Sequence, residues 1–197
     1  ANGTVEANQD LTTSSLSGTS GDIQVAFGKT FETANGTYSG IISGNGNLTM
    51  DGASNILSLE SANTYSGATS IDNGTLQIQS TGDLSDSTDL SLANSSTFKL
   101  NGTFVGVDEL SSSSTNTTVN LVSSGTALTV GKGDATAATF KGQITGDGGL
   151  TIDSSSNPNS YTQVIDNTTN DYTGATTITN GTLQTGASEV ITNTSAV

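Results

Sequence analysis

Short bursts of alternating apolar and polar residues recur along the chain. They lie at residues 23–27, 57–59, 76–78, 90–92, 98–100, 119–121, 128–130 and 150–152. Alternation with a period of two places one set of side chains on one face of a β-strand. A helix would instead need apolar residues at i, i+3, i+4 and i+7, and no stretch sustains that stripe. The pattern therefore predicts an all-β fold with essentially no helix.

Turn signals separate these bursts. Asn-Gly pairs begin at Asn2, Asn35, Asn45, Asn73, Asn101 and Asn180, and Asp-Gly pairs begin at Asp51 and Asp147. Both pairs tolerate a positive φ angle, so each one is a low-cost reversal or corner. We therefore expect short strands joined by tight corners.

The chain contains a long internal duplication. Residues 65–77 (YSGATSIDNGTLQ) match residues 172–184 (YTGATTITNGTLQ) at ten of thirteen positions. Upstream, residues 38–51 align with residues 140–153. The duplication predicts one domain over residues 1–197, made of two imperfect repeats at about 1–102 and 103–197.

The length of the strand–corner–strand modules favours a solenoid. Each repeat holds four or five modules of about 20–25 residues, which suits one coil of a parallel β-helix. Successive coils would lie about 4.8 Å apart, so the chain would build about nine coils and a rod roughly 40 Å long. Leu, Ile, Val and Phe make up about 21% of the chain, and a solenoid interior needs few large apolar side chains per coil.

The duplicated segments also resemble a known family. Residues 63–77 and 170–184 are similar to the passenger-associated transport repeat of bacterial autotransporters, and residues 42–49 and 144–151 to the stretch that leads into it. The resemblance implies a right-handed parallel β-helix that crosses the outer membrane through a C-terminal barrel and is displayed on a Gram-negative surface. The repeat is associated there with transport and folding. No signal peptide or barrel is evident, so we expect an excised passenger segment or a small secreted protein.

Composition and charge exclude several classes of function. The sequence has no Arg, His or Cys, and four Lys stand against 18 acidic residues, for a formal net charge of −14. His-based triads, cysteine metal sites and bidentate Arg clamps are therefore absent. The charge opposes binding to nucleic acid, and no apolar run reaches the ~20 residues needed for membrane insertion. We expect an extracellular or cell-surface protein that is not an enzyme.

The repeated motif residues are expected to have structural roles. Tyr65 and Tyr172 are predicted to pack at coil corners, although a sugar-stacking role is the functional alternative. The corner glycines are expected to adopt positive φ angles rather than to cradle a ligand. These repeat-motif residues are Tyr65, Gly67, Gly74, Leu76, Tyr172, Gly174, Gly181 and Leu183.

Acidic clusters give the other candidate chemistry. Asp83, Asp86 and Asp89 are weak calcium candidates, because calcium needs six to eight oxygen ligands and the spacing lacks the Asp-x-Asp-x-Asp-Gly pattern. A solvated acidic face is the competing interpretation. No other cofactor is expected. A glycosidase would need two carboxylates about 5–10 Å apart on a grooved face.

Three functions remain open from the sequence. The first is a structural and adhesive segment, a rigid stalk and folding or transport module with a host or bacterial surface receptor or glycan that the sequence does not identify. The alternative is a small secreted subunit that self-associates, end to end into extracellular biofilm filaments or laterally, because residues 1–11 and 190–197 show no charged or helical cap. The third is a glycan-active β-helix enzyme.

Overall fold

The chain folds as a parallel β-helix of about nine coils. The computed structural model describes residues 3–156, 160–186 and 191. This part of the chain contains no helix, and therefore none long and apolar enough to cross a membrane. The all-β prediction and the predicted coil number are confirmed.

Within the described residues, twenty-one strands form the coils. In chain order they are β1 (Thr4–Ala7), β2 (Leu11–Thr13), β3 (Leu16–Gly18), β4 (Asp22–Val25), β5 (Thr30–Thr33), β6 (Gly36–Tyr38), β7 (Ile41–Gly44), β8 (Asn47–Leu59), β9 (Thr69–Ile78), β10 (Asp89–Leu92), β11 (Thr97–Leu100), β12 (Phe104–Val107), β13 (Glu109–Ser112), β14 (Thr118–Leu121), β15 (Ala127–Val130), β16 (Ala137–Phe140), β17 (Gln143–Gly146), β18 (Gly149–Asp153), β19 (Thr162–Ile165), β20 (Thr176–Asn180) and β21 (Thr182–Thr185).

The segments of successive coils stack on three faces, and every strand pairing in the described part of the chain is parallel. The first face stacks β1, β4 and β7, then two irregular layers at residues 60–66 and 82–86, then β12, β15, β18 and β20. The second face stacks β2, β5, the first half of β8, the first half of β9, β10, β13, β16, β19 and β21. The third face stacks β3, β6, the second halves of β8 and β9, β11, β14 and β17.

Inward positions stack on one another from coil to coil. On the third face the Cα register runs Leu57, Leu76, Phe98, Val119 and Ile144, and all five side chains are 0% exposed. Most neighbouring positions along these strands are Thr, Ser, Gln, Lys or Asn, and most of these lie at intermediate depth, whereas Ser58 and Gln77 are buried. Thr is β-branched and suits a strand exterior, so the sparse apolar residues are concentrated in one continuous core.

The burst at residues 23–27 does not form one strand. Strand β4 ends at Val25, and the Lys29 N–H donates to the Ala26 carbonyl at 3.0 Å. Gly28 closes this turn with a φ of 70°. Phe27 therefore leaves the alternating pattern and is 85% exposed at the corner, so the prediction of a five-residue strand was wrong there.

The seventh coil has a longer connection, residues 131–136 between β15 and β16, and the strand pairing on the second face is reduced beside it. Strands β13 and β16 pair only at Ser112 and Phe140. The buried Gln163 amide compensates, since its Nε2 donates to the Leu110 carbonyl at 3.1 Å and to the Ala138 carbonyl at 3.4 Å. One side chain therefore satisfies backbone carbonyls of two preceding coils.

A buried carboxylate holds the added residues in place. Asp108 is 4% exposed, and its oxygens accept the N–H groups of Gly133, Asp134 and Ala135 at 3.0–3.1 Å. Burying a carboxylate is costly unless it is hydrogen-bonded. These three donors satisfy Asp108 and fix the loop that enlarges this coil.

Candidate functional site: the duplicated corner

The first copy of the motif forms a clamped corner between the first and second faces. The Asn63 Oδ1 accepts the Ile42 N–H of the preceding coil at 2.9 Å, and the Thr64 N–H donates to the Ile42 carbonyl at 2.9 Å. Tyr65 is 0% exposed, and its hydroxyl lies 2.6 Å from Thr69 Oγ1. The corner is thus fixed to the coil before it and within itself.

The second copy repeats these contacts. The Asn170 Oδ1 accepts the Ile144 N–H at 2.7 Å, and the Asp171 N–H donates to the Ile144 carbonyl at 3.0 Å. Tyr172 is 2% exposed, and its hydroxyl lies 2.7 Å from Thr176 Oγ1. Neither tyrosine presents a ring face to solvent for sugar stacking.

Sequence reasoning did not single out Asn63 and Asn170. They are 4% and 1% exposed, and each replaces a missing carbonyl acceptor for the strand one coil earlier. The available signal was the Asn-x-Tyr triplet at the same place in both copies. An identical buried amide in two copies indicates a fixed hydrogen bond, because an unpaired one would be costly.

The two copies occupy different faces. In the first copy the corner leads into β9 on the second face, where Thr69 pairs with Leu48 of β8. In the second copy it leads into β20 on the first face, where Thr176 pairs with Leu150 of β18. The second copy is therefore turned by one face of three. Equivalent side chains of the two copies cannot form one continuous binding surface.

The motif glycines act by two different mechanisms. Gly74 and Gly181 have φ angles of 82° and 100°, as predicted for corners. The positive-φ prediction is wrong for Gly67 and Gly174, which do not adopt such angles. A Cβ at Gly67 would lie 2.3 Å from the Gly46 carbonyl oxygen, and one at Gly174 would lie 2.2 Å from the corresponding oxygen of Gly148. These two glycines are required for backbone contact between coils.

The motif leucines differ in their surroundings. Leu76 is 0% exposed because Leu57 and Phe98 stack on its two sides. Leu183 is partly buried against the core and is paired with Gln163 on one side in the described part of the chain.

The acidic residues do not converge on a common point. Among residues 3–156, 160–186 and 191, no group of three or more Asp, Glu, His or Cys side chains is placed to hold a metal ion. The Asp83 Oδ1 accepts the Leu84 N–H at 2.8 Å, and burial, with a smaller contribution from Asp86, raises the pKa of Asp83 to about 6. Asp89 instead pairs in register with Glu109 one coil later.

Stacked carboxylates also perturb each other. Burial, followed by the charges of Asp108 and Asp134, raises the pKa of Asp89. Burial, followed by the charges of Asp89 and Asp108, raises the pKa of Glu109. A separate groove of about 620 Å³ on the second face has Asp72 as its acidic lining residue, so it does not supply the carboxylate pair that a glycosidase needs.

Alanine at Gly67 or Gly174, where the backbones of two coils touch, should destabilise the fold. Gly67→Ala and Gly174→Ala are each expected to lower the free energy of unfolding by about 3 kcal/mol or more, because the added Cβ meets backbone that cannot move aside. Gly125→Ala is the matched control, since nothing lies within 4 Å of its Cβ position, and it should change stability by less than ~0.5 kcal/mol. Urea unfolding measures all three. Equal stabilities would contradict the close-contact role.

The raised carboxyl pKa values predict stabilisation by mild acid. Asp83 has a folded pKa of about 6, above its value of 3.8 in the absence of burial, so the folded state binds the proton more tightly. Its ionisation is a cost to the folded state at neutral pH, and this cost disappears as pH falls from about 7 to 4. The urea midpoint should therefore rise from pH 7 to pH 5. Asp83→Asn should reduce that rise, and an unchanged pH dependence would contradict the assignment.

Comparison with known proteins supports the duplicated corner as a family feature. The family model described as the passenger-associated-transport-repeat matches residues 43–78 and 162–185. Over 149 residues the chain is 32% identical to the protein named Adhesin BmaC autotransporter, from Brucella suis biovar 1 (strain 1330). The aligned region covers 75% of this chain and 4% of that relative. No solved structure matches the chain. The chain is thus an autotransporter passenger segment that carries passenger-associated transport repeats.

Proposed function

We propose that this segment is a rigid, non-catalytic spacer of a passenger displayed at the bacterial surface. The observation that carries the proposal is the stacking of inward positions on the third face, where Leu57, Leu76, Phe98, Val119 and Ile144 follow one another from coil to coil within one hydrophobic core. A solenoid with one continuous core behaves as a stiff rod, because each coil packs against the coils on either side of it. The distance between its two ends is then fixed. The absence of His, Cys and Arg from the sequence and the adhesin name of the relative favour a spacer over an enzyme.

The clamped corners support a second role, in folding of the passenger. Each copy docks on the coil that precedes it in the chain, through Asn63 or Asn170 and through close contacts at Gly67 or Gly174. A coil that is already formed therefore provides the acceptors and donors for the next one. We infer that the two copies fix the register of coil addition, whichever face of the solenoid they occupy.

Spin labelling tests the spacer role. The sequence has no Cys, so Thr12→Cys with Gln184→Cys places labels on the outward row of the second face in the first and last coils. A rigid rod predicts one narrow distance distribution near ~40 Å by pulsed electron resonance. Thr12→Cys with Ser91→Cys is the matched control at the middle coil, and its distance should be about half.

A flexible or kinked segment gives a different result. A broad distribution for the long pair, together with a narrow one for the short pair, would place a joint in the second half of the chain. Broad distributions for both pairs would overturn the spacer role.

End-to-end association of the isolated segment is the second candidate function, and the exposed apolar positions of the first described coil favour it. Val5 is 52% exposed, whereas its register partner Ile23 is 5% exposed and Ile42, one coil further on, is 0% exposed. Leu11 is only partly buried, although Phe31 beside it is 1% exposed. Among the described residues, strands β1, β2 and β3 each pair on one side. Of residues 190–197, only Ile191 lies within the described residues, so the prediction that this end lacks a cap falls outside them.

Charge at the first described coil tests this association. Val5→Asp places a carboxylate on the exposed core position, so it should abolish any concentration-dependent assembly seen by sedimentation, because burying an unpaired charge is costly. Ser17→Asp is the control, since Ser17 faces outward in the same coil. Wild-type protein that sediments as a monomer at every concentration, or equal effects of the two variants, would contradict the candidate function.

A further inference from the structure

An exposed aromatic ring stands at the corner between the first and second faces. Phe27 is 85% exposed, and the turn that carries it is closed by the Lys29 N–H to the Ala26 carbonyl and by the positive φ of Gly28. Exposing a phenylalanine forfeits roughly 1.5–3 kcal/mol of burial. The ring contributes nothing to the core, and its backbone is held in one conformation.

Amide side chains surround this ring. A cavity of about 220 Å³ beside Phe27 is lined also by Asn8, Gln24 and Asn45. Asn8 comes from the preceding coil and Asn45 from the following one. Both coils are tied to the turn region, because the Ala26 N–H donates to the Ala7 carbonyl at 3.1 Å and the Gly46 N–H donates to the Val25 carbonyl at 3.0 Å.

These amides have hydrogen-bonding capacity to spare. The Asn45 Oδ1 accepts a 3.4 Å hydrogen bond from Ser66 Oγ, which leaves its N–H groups available. The Asn8 and Gln24 side chains are exposed and make no hydrogen bond within the described part of the chain. Each amide offers two donors and an acceptor. The site therefore combines one apolar ring with several groups that both donate and accept.

We propose that Phe27, Asn8, Gln24 and Asn45 form a subsite for one neutral pyranose residue of a glycan. A pyranose has an apolar C–H face that stacks on an aromatic ring, and hydroxyl groups at its edge that both donate and accept hydrogen bonds. The ring and the flanking amides match these two features. A cavity of about 220 Å³ accommodates a single sugar ring rather than an extended chain.

Charge and backbone pairing narrow the ligand class. The net charge of −14 repels uronic and sialic acids. An extended peptide would need an open strand edge for its main chain, but β4 pairs with β1 on one side and β7 on the other. A neutral sugar is the ligand that this site fits. The inference goes beyond the proposed spacer role, and the two can fail separately.

Ligand-observed and protein-observed NMR test the subsite on the full chain. The probes are neutral trisaccharides of glucose, galactose, mannose and N-acetylglucosamine, with a sialylated and a uronic acid trisaccharide as charged comparators. At least one neutral probe should shift the amide signals of Asn8, Gln24, Phe27 or Asn45 and show saturation transfer to its C–H face. The charged comparators should bind more weakly.

Two phenylalanine variants distinguish binding at the subsite from non-specific binding to any exposed aromatic ring. Phe27→Ala should weaken binding about tenfold by removing the stacking face. Phe104→Ala should leave it unchanged, because Phe104 is 72% exposed but does not line the cavity. Gln24→Ala should also weaken binding while the ring remains.

Each contrary outcome overturns the proposal. Absence of binding by all four neutral probes, or equal losses in Phe27→Ala and Phe104→Ala, would exclude the subsite. Binding of a hydrophobic peptide, or association of copies of this chain, that depends on Phe27 without sugar binding would reassign the ring to a protein contact. The spin-label distances would be unaffected in any of these cases.

Discussion

The backbone hydrogen bonds between successive coils are the constraint on which the rest of the structure depends. Each strand must find an equivalent strand about 4.8 Å away, so a side chain that enters the interior must stack on a similar one in the next coil. Where two coils come closer still, as at Gly67 and Gly174, no side chain fits. Where the ladder is interrupted, the buried amides of Asn63, Asn170 and Gln163 supply the hydrogen bonds that strands would otherwise make. The repeat motif contains residues that meet these requirements: a glycine where coils touch and an asparagine where a backbone hydrogen bond is missing.

The short distance between coils also brings some acidic side chains close enough to repel each other. In a parallel ladder, identical rows place like charges opposite each other, as with Asp89 and Glu109. With four lysines in the sequence, few carboxylates can be paired. In the described part of the chain the ion pair is that of Lys132 with Asp153, at 3.6 Å. Burial and mutual repulsion then raise the pKa of Asp89 and Glu109.

Sequence periodicity was sufficient for the all-β class, the coil number and the motif because these depend on local alternation and on repetition. The exposure of Phe27 was not predicted. The sequence alternates through residue 27, but the backbone leaves the strand in a turn that begins at Ala26. Asp108 and Gln163 were missed because their partners lie 25–27 and 25–53 residues away, at distances that no local pattern reports. The face occupied by each copy could not be predicted either, because the length of every intervening corner contributes to it. Gly67 and Gly174 were selected correctly as motif residues but for the wrong physical reason.

The rotation between the two copies has a geometric consequence for longer chains. Each unit shifts the position of the clamped corner by one face, which is about a third of a turn around the solenoid axis. Further copies of equal length would carry the clamped corner around the axis and return it to its original face only after three units. Identical corners would then follow a spiral on the rod. Any surface feature borne at a fixed place in the unit would point in three directions in turn, so a filamentous passenger built this way would present it to its surroundings whichever side faced outward.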